Sequence, residues 1–187
     1  MAYEIVGISG TTASGKDTAA EYLECKSFLH VSTSDVIRAE AIRMYGSIEQ
    51  HILRRVGHEM RVRDGVGAVC LSAIAQYEAQ RRDFIGIVLS GMRSIGPAQT
   101  IKDSGGLLIS VDAPLRTRYD RLVARGRIGD LTNYEEFVRF EEEQLNGTLT
   151  TGQNTRAIEE ISDFRIYNDT DLDSFLYKID FAVGLSL

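Results

Sequence analysis

Two rhythms of apolar residues run along this chain. Short apolar runs at 4–8, 28–31, 84–89, 107–111 and 164–167 are separated, in most cases, by longer stretches in which apolar positions recur every three or four residues. The short runs predict strands. Ile85-Gly86-Ile87-Val88-Leu89 and Leu107-Leu108-Ile109-Ser110-Val111 are apolar almost without a break, as strands covered on both faces must be, and belong in the centre of a sheet. The longer stretches predict helices at 16–25, 35–45, 48–63, 66–82, 97–103, 115–125, 133–145, 155–161 and 172–181. Strands alternating with helices imply an α/β fold of three layers, a five-stranded parallel sheet with helices on both faces.

Two connections exceed a simple crossover. One, about 34–82, inserts more than one helix between the second and third strands; the other, about 127–154, precedes the last strand. In the second, Gly126, Gly129, Gly147 and Gly152 surround an acidic amphipathic helix, the arrangement of a hinged lid. A surface excursion without catalytic role would leave the same pattern. The expected organisation is one domain over 1–187, with a core of 1–33, 83–126 and 155–187, an acceptor-binding insertion at 34–82 and a lid at 127–154.

Composition narrows the class. With 187 residues, 43% of them hydrophobic and only 2 prolines, the chain suits one well-packed domain. A net charge of −6 with no basic stripe argues against a polynucleotide partner. No run nears the roughly 20 apolar residues of a membrane span, and the first residues lead directly into a strand, so a cytoplasmic protein is expected. Cys25 and Cys70 lack metal-ligand spacing and read as packed, reduced thiols; the three histidines form no ligand pattern. Nothing here separates a monomer from a homodimer.

The most informative chemistry is Gly10-Thr11-Thr12-Ala13-Ser14-Gly15-Lys16-Asp17-Thr18. It fits G-x-x-x-x-G-K between an apolar strand and a helix, the context that a phosphate-binding loop requires. Glycines let backbone N–H groups converge on phosphate oxygens, the helix N-terminus adds its positive end, and Lys16 reaches the β- and γ-phosphates. The expected ligand is a nucleoside triphosphate, ATP, with Mg²⁺. Asp17 stands where a metal-binding hydroxyl is usual, with Thr18 beside it. Either Asp17 holds the Mg²⁺ through water, as suits a hard cation, or it merely opens the helix while the metal rides on the phosphates.

The loop, then Val31-Ser32-Thr33-Ser34-Asp35-Val36-Ile37-Arg38, Val88-Leu89-Ser90-Gly91-Met92-Arg93-Ser94 and Arg121-Leu122-Val123-Ala124-Arg125-Gly126-Arg127 occur in an order that resembles the P-loop nucleoside monophosphate kinases. The adenylate-kinase-related and dephospho-CoA-kinase-like proteins are nearest in character. The resemblance spans about 3–177. It implies a P-loop NTPase fold and transfer of the γ-phosphoryl group of ATP to a small-molecule acceptor, a nucleoside or deoxynucleoside monophosphate. It places Thr33, Asp35, Arg38 and Arg93 at the acceptor, and Arg121 and Arg125 against the adenine ring and the transferring group. Asn168-Asp169-Thr170 falls beside the base, where it could equally be the turn before the last helix. Arg127 and Arg156 would close from the lid. Lys16, Arg93 and Arg125 are the expected catalytic cations, since a loose phosphoryl-transfer transition state is stabilised mainly by positioning and positive charge. Arg116 and Arg118 point off the stripe of Arg121 and Arg125 and are expected in solvent.

Ser90 departs from the pattern, because related proteins often carry Asp at that strand end. The acceptor stays open as well. A monophosphate is already a nucleophilic oxyanion, leaving Asp35 structural; a ribose hydroxyl, as in dephospho-CoA, would need Asp35 as general base. Ser32 to Arg38 resembles the adenylate kinase element more closely, which favours the monophosphate. His51, Arg54, Arg55, Arg61 and Arg63 offer more anion-binding groups than one monophosphate needs. A different class, a nucleotide-binding switch with lost catalysis, would explain the altered metal contacts but not the acceptor-side arginines.

Overall fold

The computed structural model describes residues 2–126, 133–145 and 154–185. Strands β1 (Ile5–Gly10), β2 (Phe28–Ser32), β3 (Gly86–Ser90), β4 (Leu107–Asp112) and β5 (Phe164–Tyr167) form one wholly parallel sheet in the order β2-β3-β1-β4-β5. All five lie where the apolar runs place them. β3 and β4 are interior, flanking β1, and both are buried on both faces.

Alternation along the strands divides the core in two. Val6, Ile8, Val88, Ile109 and Val111 face α1 (Lys16–Cys25) and α9 (Leu172–Val183), where they meet Ala19, Leu23, Phe175 and Ile179. Ile87, Leu89 and Leu108 face the other way onto α4 (Ala68–Ala79), α5 (Ile95–Asp103) and α8 (Thr155–Ile161), meeting Tyr77, Ile101 and Ile158. Each such side chain contributes about 1.5–3 kcal/mol by leaving water, which is why a sheet of this kind holds only when helices cover both faces. Gly7 marks how closely they pack: a Cβ there would stand 2.7 Å from Ile101 Cδ1.

Between β2 and β3 run α2 (Thr33–Tyr45), α3 (Gln50–Asp64) and α4; α6 (Leu115–Arg125) follows β4, and α7 (Tyr134–Leu145) packs on α6 and α8. α2 starts at an N-cap, Ser32, whose hydroxyl accepts from Asp35 N, and ends at Gly46 with φ 64°. These are ordinary start and stop signals, and they place the helix two residues earlier than its apolar spacing alone predicts. Cys70 is buried and its thiol is pushed up to about 11 by burial, but Cys25 is exposed. The expectation of two packed thiols therefore holds for one: Cys25 ends α1 on the face turned from the sheet. Among the described residues no helix is long and apolar enough to cross a membrane.

Candidate active site

Parallel strands deliver all their carboxyl ends to one edge, and the candidate residues gather there. The loop leaving β1 turns at Gly10 (φ 151°) and Gly15 (φ 103°). Neither tolerates a side chain: a Cβ on Gly10 would meet Val111 O at 2.1 Å, and one on Gly15 would meet Asn168 Nδ2 at 2.3 Å. The loop carbonyls are held from outside. Asn168 Nδ2 donates to Ser14 O at 2.8 Å, Arg121 Nη1 to the same oxygen at 3.5 Å, and Arg118 Nη1 to Thr12 O at 3.3 Å. Thr11 Oγ1 donates to Asp112 Oδ1 at 2.5 Å. At the N-cap of α1, Gly15 supplies no side-chain cap, so the first-turn N–H groups keep their positive end for a ligand. Beneath this turn Ser14 Oγ is buried without a hydrogen-bond partner among the described residues.

Two clefts lie near the carboxyl edge of the sheet. The first cleft, beside the loop, is lined by Ala13, Gly15, Lys16, Asp17, Thr18, Glu21, Arg121, Arg125, Asn168 and Thr170, over a floor of Leu172 and Phe175. Nine residues expected at the nucleotide thus share one wall. Asp169 lies outside this lining and faces Lys178 Nζ at 3.8 Å, while the helix that follows is capped by Asp171 through Ser174 N. The second cleft lies between α2, α3 and the end of β3, and includes Thr33, Arg38 and Arg93. Thr33 Oγ1 donates to Ser90 O at 3.0 Å and ties α2 to the strand end. Asp35 does not line this cleft: its exposed carboxylate accepts from Arg38 Nη1 at 2.5 Å. Ser90, buried at the end of β3, shares a 2.9 Å hydrogen bond with His30 Nε2.

Lys16 and Arg125 of the first cleft and Arg93 of the second lie within electrostatic reach of one another. Burial holds the Lys16 ammonium below its ordinary pKa; Arg93 and Arg125 push it the same way, and Asp17 and Glu141 oppose them. Burial likewise lowers Arg93, with Arg38 and Arg125 adding repulsion against Glu141 and Asp17. Among the described residues, Lys16 Nζ makes only long contacts, 3.5 Å to Thr11 O and 3.8 Å to Asp17 Oδ1. Desolvated cations crowded together favour an anion, and a polyphosphate supplies one. Arg156 is exposed on α8 and lines neither cleft; Arg127 lies outside the described residues.

Four residues of this region escaped the sequence reading. Arg118 is buried, not solvated: it donates to Ala113 O at 2.9 Å and Thr12 O, lies 3.4 Å from Asp112 Oδ1, and pairs with buried Glu141 of α7. Its spacing held the signal, since 118, 121 and 125 stand at i, i+3 and i+7 and share one helix face. Glu141 keeps its second oxygen, Oε1, buried and without a hydrogen-bond partner among the described residues. Gln144, one turn on, accepts from Arg93 Nη1 at 3.0 Å. Asp112 could have been found as the acid that closes an apolar strand at the sheet's carboxyl edge.

The fold, a three-layer α/β architecture, is one that solved kinases share. It superposes on a shikimate kinase from Acinetobacter baumannii with a TM-score of 0.57 at 12% identity, covering 99% of this chain and 96% of that one. A gluconokinase from Sinorhizobium meliloti gives 0.56 at 13% identity over 98% and 94%. In sequence, the chain is 26% identical over 179 residues to a protein of Archaeoglobus fulgidus named UPF0200/UPF0201 protein, covering 94% of this chain and 54% of the relative. It therefore spans about half the length of that relative. No family model matches. The resemblance to nucleoside monophosphate kinases is met at the level of the P-loop kinase fold.

Proposed function

We propose that this protein is an ATP-dependent phosphotransferase that moves the γ-phosphoryl group to a nucleoside or deoxynucleoside monophosphate. The observation that carries this reading is that the cations of two clefts, Lys16 and Arg125 of one and Arg93 of the other, lie within electrostatic reach of one another: a kinase must hold a donor and an acceptor on opposite sides of one positively charged transfer point. Lys16 and the N–H groups of the loop hold the β- and γ-phosphates, Arg121 and Arg125 flank them, and Arg38 and Arg93 grip the acceptor phosphate. The segment 34–82 serves as the acceptor side and 127–154 as a lid, with α7 its described part. Asp35 is turned to Arg38 and solvent, which supports an acceptor that is already an oxyanion over one whose hydroxyl needs a base.

The residues present fit a phosphate-borne Mg²⁺. Half-buried Asp17 and exposed Thr18 bring a carboxylate and a hydroxyl, hard oxygen donors, to the donor cleft, and no cluster of three or more acidic, His or Cys ligands exists among the described residues to cage a metal independently. Bound there, the ion would neutralise charge developing between the β- and γ-phosphates.

The test is ADP release from ATP and Mg²⁺ across nucleoside monophosphates, deoxynucleoside monophosphates and dephospho-CoA. Turnover with a monophosphate is expected, with Asp17→Ala raising the Mg²⁺ concentration needed. Turnover with dephospho-CoA alone would overturn the acceptor assignment, and tight ATP binding without any acceptor-dependent turnover would make the protein a switch.

A further inference from the structure

We propose that the acceptor cleft holds a second anion subsite, built from Arg54 and Arg61 of α3, so that the acceptor is a nucleotide with a second phosphate group held apart from the accepting one by an apolar body. The proposal rests on the reading of this cleft as the acceptor side.

The fold sorts the arginines of α3 into two sets. On the outward face they are neutralised: Arg55 Nε donates to Glu59 Oε1 at 2.8 Å, and Arg63 lies 2.6 Å from Asp64 and 3.2 Å from Glu40. His51, at the helix start, faces Glu49 at 3.3 Å. Arg54 and Arg61 are different. They stand at i and i+7, two turns apart on one face, and both line the cleft. Among the described residues no carboxylate lies within ion-pair distance of either, although acids neutralise their neighbours on the same helix. Arg61 is also half-buried, so its charge is partly stripped of water with no protein counter-ion. A guanidinium left so in a cleft is matched by an anion from outside, and its planar fork suits phosphate.

The wall between the arginines points the same way. Gly57 is buried in the middle of α3, where glycine weakens a helix, and it lines the cleft between Arg54 and Arg61. A Cβ there would meet Arg61 Nη1 and Ile37 Cδ1, each at 3.5 Å, so the Arg61 head lies back along the helix towards α2. Ile37, Leu53, Met60, Val69 and Met92 supply an apolar lining, fit for a sugar or base rather than for bare phosphate. Arg38 and Arg93 enter from α2 and the end of β3, on the transfer side. The cleft thus offers two cationic pairs with apolar surface within it, where a monophosphate would need one.

The experiment compares matched ligands by calorimetry, in the presence of Mg²⁺ and a non-hydrolysable ATP analogue: nucleoside 5′-monophosphates against the corresponding 3′,5′-bisphosphates, across the common bases. For the preferred base the bisphosphate is expected to bind about tenfold or more tightly, as a charge-assisted hydrogen-bonded contact implies. Arg54→Gln and Arg61→Gln should each erode that advantage while leaving monophosphate affinity unchanged, and Arg55→Gln should alter neither. Equal affinity within every pair, or variants that weaken both ligands alike, would overturn the subsite. Phosphoryl transfer assayed on the same pairs separates the two readings. Selective bisphosphate binding without transfer removes the kinase assignment and keeps the subsite; transfer with no preference keeps the kinase and removes the subsite.

Discussion

At position 15 the phosphate loop turns with φ at 103°, and an added methyl group would press on an Asn168 side chain that is itself buried and bonded to Ser14 O. Asn168 cannot move aside without giving up that bond. Gly15→Ala should therefore destabilise the fold by about 1–3 kcal/mol through backbone strain, a fall of about 2–4 °C in Tm per kcal/mol for a chain of this size. It should also weaken ATP binding more than tenfold. Thermal melting with and without ATP checks both; a variant with unchanged ATP affinity would show that the loop does not hold the phosphates. At this scale the legible residues were those set in a local pattern, such as Gly15 and Lys16, or spaced along one helix, such as Arg121 and Arg125. The helix face of Arg118 was legible from the same spacing, but its burial and that of Glu141 were not, because each is decided by a partner 23 residues away that no local window contains.

Helix α7 shows what such a partner does to an element. Its sequence reads as an acidic amphipathic helix, and its buried face takes polar residues with the apolar ones: Phe137, Glu141 and Gln144 are buried against neighbouring structure, Tyr119 of α6 stacks edge-on with Tyr134 at 5.0 Å, and Thr155 Oγ1 of α8 donates to Gln144 O. Two polar ties reach across to the site, Glu141 to Arg118 and Gln144 to Arg93. Removing one partner of a buried pair strands the other charge, which costs about 3–5 kcal/mol, whereas replacing both by apolar residues of similar volume is far less costly. Glu141→Ala should accordingly lower Tm sharply, and Arg118→Met with Glu141→Leu should recover most of the loss while impairing turnover, since Arg118 also holds the loop carbonyl of Thr12. A double variant as unstable as the single one would mean that Glu141 acts through another contact. Helix bounds themselves were largely legible. α1, α6 and α8 begin and end where their apolar spacing places them, because caps and breakers are local; which face of α7 meets the protein depends on tertiary neighbours.

Over the whole molecule, charge is segregated rather than balanced: a chain of net charge −6 gathers Lys16, Arg38, Arg93, Arg121 and Arg125 around the carboxyl edge of its sheet. The apolar rhythm predicts that the sheet is parallel and hence that one edge collects the loops, but strand order is absent from it. The order β2-β3-β1-β4-β5 sets the phosphate loop between the end of β3, with Arg93, and the end of β4, with Asp112, and so buries Lys16 beside arginines, its pKa lowered chiefly by that burial and further by their repulsion. This predicts a proton linkage. In the free protein, burial and the neighbouring arginines disfavour the charged ammonium; a bound triphosphate favours it and raises its pKa again. Below the free-protein pKa, Lys16 is charged in both states and affinity is flat. As pH rises through that lowered value, binding must take up a proton, so affinity for ATP falls with alkalinity while Lys16 still carries its proton in the complex. Calorimetry of ATP binding in buffers of different ionisation enthalpy, from about pH 7 to pH 10, should show proton uptake growing with pH. Lys16→Arg, which cannot deprotonate in that range, should abolish the uptake even if it binds less well. Proton release, or uptake that persists in the arginine variant, would place the titrating group elsewhere and remove Lys16 from contact with the phosphates.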